Sequence, residues 1–131
     1  MNLQNIFKSF SLTLNETQKS FNNFFLNNTA IKRIESNTFF DITFNIIVIE
    51  HVDSLERIHT NAFSSCTHTL QEFNFQDYTS SHATNELIIN DLPDYNYFKM
   101  LSSFVNLQSL LFFTKLMTSI PDNAFQPIIA K

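Results

Sequence analysis

The chain of 131 residues contains no glycine. Loops that cradle phosphate groups need glycine, because their backbone N–H groups approach the anion at dihedral angles that other residues avoid. Dinucleotide-binding fingerprints and the nucleophile elbow of serine hydrolases need glycine for similar steric reasons. These three kinds of site are therefore excluded. Where the backbone must be left-handed, we expect asparagine to take the place of glycine.

Charged residues are also scarce. They make up 15% of the chain, with 8 Lys+Arg against 12 Asp+Glu and a net charge of -4. The longest basic run is the pair Lys32 and Arg33, whereas a groove that follows a nucleic-acid backbone needs a patch of cations. We therefore expect no nucleic-acid partner.

Long apolar runs are missing as well. No uninterrupted apolar stretch approaches the roughly 18 residues of a membrane helix, so we expect no membrane span. The first residues make a poor signal peptide, because Asn2, Gln4, Asn5 and Lys8 interrupt the apolar segment that such a peptide requires.

What the chain does contain is a repeated pattern with an L-x-x-L-x-L core, in which Phe and Ile often replace Leu. Ile34 and Ile58 lie 24 residues apart, and so do Phe39 and Phe63. A constant offset at two landmarks indicates an internal repeat. The copies of the core are Phe21-x-x-Phe24-x-Leu26, Phe44-x-x-Ile47-x-Ile49, Leu70-x-x-Phe73-x-Phe75 and Leu107-x-x-Leu110-x-Phe112.

This core resembles the signature of the leucine-rich-repeat superfamily. The ending Ser119–Phe125 is similar to that of extracellular arthropod members, a group that includes the non-catalytic leucine-rich subunit of a shrimp luciferase. The resemblance implies an α/β solenoid, a short arc with a parallel sheet on its concave face and mostly loops or short helices on its convex face. The family's usual asparagine after each strand is replaced by Thr29, Val52, Tyr78 and Lys115.

The repeat divides the chain into three parts. Residues 1–20 do not repeat and predict an amphipathic N-terminal segment or cap. Residues 21–128 predict the solenoid of about four repeats, and residues 129–131 form a tail. The polar stretch Thr79–Asn90 predicts a loop insertion, and Asp94–Ser103 predicts a helix on the convex side.

Alternation within each core predicts which side chains are buried. The last two apolar positions of each L-x-x-L-x-L core point inward, because successive residues of a strand face opposite sides. Phe39, Phe63 and Phe125 each end an Ile-x4-Phe unit and are predicted to plug the convex side. The 16 Phe suit a stack of rings along the axis of a narrow solenoid.

The residues between these inward positions form the concave surface of the predicted sheet. Apolar residues at its two ends flank a polar centre, an arrangement that suits protein recognition. We therefore predict a protein-binding module that is not an enzyme and needs no cofactor. The residues predicted to contact the protein partner are Phe25, Val48, Glu50, Glu72, Asn74, Leu111 and Phe113.

Two alternatives stay open. The resemblance implies one of them, a non-catalytic subunit of an enzyme complex. The other is a fragment of a longer leucine-rich-repeat protein with no independent activity, because no capping segment follows the last repeat. For the same reason we expect the chain to self-associate through its C-terminal edge, where Leu111 and Phe113 offer none of the charges that usually blunt an edge strand.

Candidate metal ligands and catalytic groups are few. The candidates for a metal site are His51, His59, His68, His82 and Cys66, which lack the paired spacing of zinc ligands. Glu50, Glu72 and Asp77 fall on neighbouring predicted strands, but an open sheet surface desolvates them too little for acid–base catalysis. We expect neither a metal site nor a catalytic one.

Two glycosylation sequons and one cysteine are informative about the cellular location of the protein. Asn15 and Asn27 begin N-x-Thr sequons, which become glycosylation sites if the protein enters the secretory pathway. The lone Cys66 excludes the disulfide-bonded caps that extracellular repeat proteins usually carry. We expect an extracellular location if the chain is part of a longer secreted protein, and a cytoplasmic one otherwise.

Overall fold

A computed structural model describes residues 2–28, 30–52, 54–77 and 97–114. The helices are α1 (Leu3–Ser11) and α2 (Tyr97–Ser102), and short 3₁₀ turns cover Glu16–Gln18 and Ser64–Cys66. The strands are β1 (Ser20–Asn27), β2 (Arg33–Ile34), β3 (Thr43–Glu50), β4 (Arg57–Ile58), β5 (Glu72–Asp77) and β6 (Ser109–Thr114). The predicted insertion Thr79–Asn90, Phe125 and the tail 129–131 lie outside the described residues.

Four of these strands form one parallel sheet in the order β1-β3-β5-β6. Their Phe, Ile and Val residues favour extended backbone, since branched and aromatic side chains pack well on a pleated surface. The fold is therefore an α/β arrangement with a four-stranded parallel sheet and few helices among the described residues. This is the coarse fold class that the sequence predicts.

A second, smaller sheet alternates with the first along the chain. Strand β2 pairs in parallel with β4, which places Arg33 opposite Arg57 and Ile34 opposite Ile58. The 24-residue offset between Ile34 and Ile58 in the sequence is thus a pairing register in the structure. In sequence, β2 lies between β1 and β3, and β4 lies between β3 and β5.

The inward positions of the larger sheet pack into the core. The fully buried ones are Leu26, Ile47, Ile49, Phe73 and Phe75, and the partly buried ones are Phe24, Leu110 and Phe112. Burial of apolar surface is the main force that holds such a core together. The alternation of the sequence therefore predicts the buried face of these strands.

A stack of aromatic rings runs through the core. The rings of Phe39 and Phe63 are stacked with their centroids 5.1 Å apart, and Phe63 lies 6.1 Å from Phe73. Phe73 in turn stacks on Phe104 at 6.3 Å. Phe39 and Phe63 are both 1% exposed, so the burial predicted for these two residues is confirmed.

Helix α1 packs against the core beside β1. The Asn2 side chain accepts a hydrogen bond from the Asn5 N–H and so begins the helix. The Phe7 ring packs edge-on against Phe24 at 5.7 Å and against Phe39 at 4.9 Å. The segment 1–20 thus contributes one buried aromatic side chain, Phe7, to the core beside β1.

A polar network fixes the end of α1. The Lys19 ammonium donates to the Asp41 carboxylate at 2.6 Å, and the Ser11 hydroxyl donates to the same carboxylate. The hydrogen bonds from Lys19 and Ser11 lower the pKa of Asp41, and those to Asp41 and Glu16 raise the pKa of Lys19. This network joins α1, the start of β1 and the turn before β3.

Helix α2 covers part of the region where we predict a convex helix over Asp94–Ser103. It spans Tyr97–Ser102, with Tyr97, Phe98, Met100 and Leu101 buried. Residues 94–96 lie outside the described ranges. Among the described residues, neither helix has the length and apolar character that crossing a membrane would take.

Left-handed backbone occurs at three described residues, Asn37, Phe40 and His51, with φ of 50°, 60° and 51°. The expectation that asparagine fills such positions is right for Asn37 and wrong for Phe40 and His51. For Phe40 the reason is local, because its N–H closes a turn on the Asn37 carbonyl and the turn fixes its backbone. The turn therefore overrides the preference of the side chain at this position.

Candidate interaction surface

One face of the larger sheet points away from the aromatic core, and we call it the outer face. It consists of three rows, each with one residue from β1, β3, β5 and β6. The middle row is Phe25, Val48, Asn74 and Leu111. The rows on either side are Asn23, Ile46, Glu72 and Ser109, and Asn27, Glu50, Gln76 and Phe113. The backbone register therefore brings all seven predicted contact residues into this one face.

The two ends of the middle row are apolar and open to solvent. Phe25 is 57% exposed on β1, and Leu111 is 47% exposed on β6. Between them, Val48 and Asn74 are half-buried. Phe113 lies opposite Gln76 in the backbone register, but its side chain lies outside the described residues.

Amide side chains hold the polar part of the outer face in place. The Gln76 amide donates to the Asn74 side-chain oxygen at 2.7 Å, which orients two neighbouring residues of β5. Beside the outer rows, the Asn45 amide donates to the Asn22 side-chain oxygen at 3.4 Å. These bonds restrict the amides of the sheet surface before any partner binds.

The charge of the outer face is entirely negative among the described side chains. Glu72 is exposed and Glu50 is half-buried, and neither makes an ion pair within the described part of the chain. No Lys or Arg occurs in the three rows. The ion pair between Lys19 and Asp41 lies outside these rows, with Lys19 just before β1 and Asp41 in the turn before β3.

Glu50 and Glu72 lie at opposite ends of neighbouring strands, Glu50 at the end of β3 and Glu72 at the start of β5. Glu72 lies opposite Ile46, four residues before Glu50 on the neighbouring strand. At about 3.3 Å per residue and about 4.8 Å between strands, the two Cα atoms lie about 14 Å apart. A proton shared between two carboxylates requires them to be in near contact. Asp77 lies opposite Thr114, and its side chain is outside the described residues.

The candidate metal ligands do not come together either. Within the described residues, no group of three or more His, Cys, Asp or Glu side chains is arranged to hold a metal ion. Cys66 is fully buried, and its Sγ accepts a hydrogen bond from the Phe44 N–H at 3.4 Å. Burial raises the pKa of the Cys66 thiol, so this group is a core side chain with little thiolate character. His82 lies outside the described residues.

One structural residue is not apparent from the repeat pattern. The Asn28 side chain accepts hydrogen bonds from the backbone N–H groups of Ala30 at 2.8 Å and Ile31 at 3.2 Å, and so organises the turn after β1. In the family pattern, the asparagine that organises this turn falls at position 29, which is threonine in this chain. Asn28, one residue earlier, could have been identified from the sequence, because an asparagine side chain commonly forms a hydrogen bond with the backbone two residues ahead.

Both sequon asparagines are exposed. Asn15 precedes the 3₁₀ turn Glu16–Gln18, away from the sheet rows. Asn27 occupies the third row of the outer face, beside Glu50. A glycan on Asn27 would cover that end of β1, whereas one on Asn15 would leave the rows open.

An open groove lies on another part of the surface, between the start of α1 and β2. Its volume is about 530 Å³. Its lining residues are Asn2, Leu3, Gln4, Ala30, Lys32, Arg33, Glu35 and Glu56. The two cations and two carboxylates of this lining give it no net charge, and none of the lining residues has a buried side-chain polar atom without a hydrogen-bond partner among the described residues.

Comparison of the chain with protein-family profiles, with curated protein sequences and with solved structures found no match in any of the three.

Proposed function

We propose that the chain is a short leucine-rich-repeat solenoid that binds another protein through its outer face. Support for the solenoid comes from the alternation of the chain between its two sheets. Each return to the larger sheet from β1 to β3, from β3 to β5 and from β5 to β6 adds a parallel strand beside the previous one. Stacked repeats build a sheet in this way, and the 24-residue offset of β2 and β4 fits the length of a leucine-rich repeat.

The observation that carries the binding role is the exposure of Phe25 and Leu111 at the two ends of one row. Full burial of a Phe or Leu side chain stabilises by about 1.5–3 kcal/mol. Because Phe25 and Leu111 are about half exposed, folding provides only part of this stabilisation at these two residues. A partner that covers both ends gains the remaining part on binding. The half-buried Asn74 and Glu50 then supply the polar contacts that orient it.

We propose binding in preference to catalysis because the outer face has exposed apolar side chains that a partner can cover, whereas its reactive side chains are not arranged in pairs. The Cα atoms of Glu50 and Glu72 stand about 14 Å apart, so the strand register does not set the two carboxylates side by side. The buried Cys66 is held by core contacts and does not reach this face.

The test compares two double variants with matched exposure. Affinity capture on the full chain identifies the partner, and calorimetry then measures its affinity for Phe25→Ser/Leu111→Ser. We expect a loss of at least about tenfold, because truncation of a large apolar side chain that a partner covers costs more than about 1 kcal/mol at the residues that dominate binding. Thermal melts of both variants check that they fold.

The matched control is Ile6→Ser/Val105→Ser. These side chains are 50% and 54% exposed, but they lie on α1 and after α2, away from the outer face. This variant should bind like the wild type. Wild-type binding by Phe25→Ser/Leu111→Ser, or an equal loss in the control, would show that the outer face is not the binding site.

A further inference from the structure

We infer that the partner contacts the outer face with a short extended segment carrying two basic residues and an apolar residue midway between them. This inference rests on the proposed function, because it specifies the chemistry of the ligand for the same surface. Three properties of the outer face lead to it: its charge, its size and the spacing of its carboxylates.

Charge complementarity selects a basic ligand. The two described charged side chains of the outer face are the carboxylates of Glu50 and Glu72, without an ion-pair partner among the described residues. The six described Lys and Arg residues, Lys8, Lys19, Lys32, Arg33, Arg57 and Lys99, all lie outside the three rows. A ligand cation therefore meets no like charge there, and an acidic ligand would face repulsion.

The size of the outer face suits a segment of chain. Strands β1 and β3 have eight residues and β5 and β6 have six, so at about 3.3 Å per residue the face is about 20–26 Å long. Four strands at about 4.8 Å spacing make it about 19 Å wide. An extended segment that lies along the strands fits within this area.

Spacing sets the pattern of the segment. The Cα atoms of Glu50 and Glu72 lie about 14 Å apart on neighbouring strands, and four residues of extended chain span about 13 Å. Cations at positions i and i+4 of an extended ligand therefore reach both carboxylates. Position i+2 points to the same side of the ligand and lies between Val48 and Asn74, where an apolar residue contacts Val48.

The experiment uses the full chain labelled with ¹⁵N and a seven-residue synthetic probe. The probe has threonine at its odd positions, arginine at its second and sixth positions and leucine at its fourth. A second probe of the same composition places the two arginines side by side. Binding is followed by amide chemical shifts, which report both the affinity and the location of a weak ligand.

We expect the first probe to shift amides of β3 and β5 and to bind about fivefold more weakly to Glu50→Gln/Glu72→Gln, as the loss of two exposed ion pairs predicts. The second probe should bind to the wild type about as weakly as the first probe binds to Glu50→Gln/Glu72→Gln. The matched control Glu35→Gln/Glu56→Gln removes the same charge from the groove beside α1, and it should leave the affinity unchanged. Absence of binding, equal binding to Glu50→Gln/Glu72→Gln, or an equal loss in the control overturns the inference.

Its failure can be told apart from failure of the proposed function. If the captured protein partner loses affinity for Phe25→Ser/Leu111→Ser but not for Glu50→Gln/Glu72→Gln, the outer face binds and the basic segment is wrong. If neither double variant affects that partner, both proposals fall. If both weaken it, and the wild type prefers the first probe to the second, both proposals stand.

Discussion

The two faces of the larger sheet come from the same strands and have opposite compositions. The inner face carries buried aliphatic and aromatic side chains such as Ile47, Ile49 and Phe75. The outer face carries amides, two carboxylates and exposed apolar residues at its ends. Because neighbouring residues of a strand point to opposite sides, one stretch of sequence encodes both faces.

Under the proposed function, the inner face of each strand stabilises the fold and the outer face contacts the partner. Apolar surface on the inner face is already buried by folding, so a change there alters the free energy of unfolding. Apolar surface at Phe25 and Leu111 remains exposed, so a change there should alter the free energy of unfolding far less. Under the proposed function, it reduces what a partner gains by covering these side chains. Variants of the two faces should therefore have effects of very different size on unfolding.

The largest expected effect comes from the ring stack of the core, which packs against the inner face. Phe63 is 1% exposed and its ring lies between those of Phe39 and Phe73. Phe63→Ala should lower the free energy of unfolding by about 3–5 kcal/mol, because it removes buried apolar surface and leaves a cavity. Chemical denaturation measures this. A change below about 1 kcal/mol would mean that Phe63 does not occupy the core.

A smaller effect of opposite sign is expected at a polar atom within the same core. Among the described residues, the Tyr97 hydroxyl is the buried side-chain group without a hydrogen-bond partner, and burial raises the pKa of Tyr97 well above its ordinary value. Tyr97→Phe removes an unsatisfied group, whose burial costs about 1–3 kcal/mol. The variant should be more stable than the wild type by about 1 kcal/mol in urea denaturation. A clear loss of stability would reveal a partner for the hydroxyl.

The smallest effect is expected from the exposed network at the end of α1. Asp41 has a pKa below its ordinary value because Lys19 and Ser11 donate to it. Its contribution to stability is therefore present above the unfolded pKa of 3.8 and is lost as the pH falls through the lower folded pKa. The wild type should lose more thermal stability than Asp41→Asn between pH 5 and pH 2, although only slightly, since exposed ion pairs contribute little. Parallel pH profiles of the two proteins would contradict this.

Much of the larger sheet could be predicted from the sequence, because its signal is periodic. The inward positions follow from alternation, and in the smaller sheet the pairing of Ile34 with Ile58 matches their 24-residue offset in the sequence. The outward residues follow from the same alternation, so the site residues of the outer face needed no further information. The periodicity of a strand indicates on which face of the sheet each side chain lies.

Other features could not be predicted because they arise from contacts without a period. Left-handed backbone at Phe40 contradicts the preference of a bulky side chain, and only the turn that contains it accounts for it. The bond between Ser11 and Asp41 joins residues 30 positions apart. Nothing in the repeat pattern indicates that such a pair would meet.

The most direct measurement of the separation between the two faces compares neighbouring residues of β1. Leu26 is buried on the inner face, whereas Phe25 is 57% exposed on the outer face. Each is changed to Ala, and the free energy of unfolding is measured by urea denaturation. Leu26→Ala should lose about 2–5 kcal/mol and Phe25→Ala less than about 1 kcal/mol, although the latter removes the larger side chain. Equal losses, or a larger loss for Phe25→Ala, would contradict the assignment of the two faces and with it the proposed binding surface.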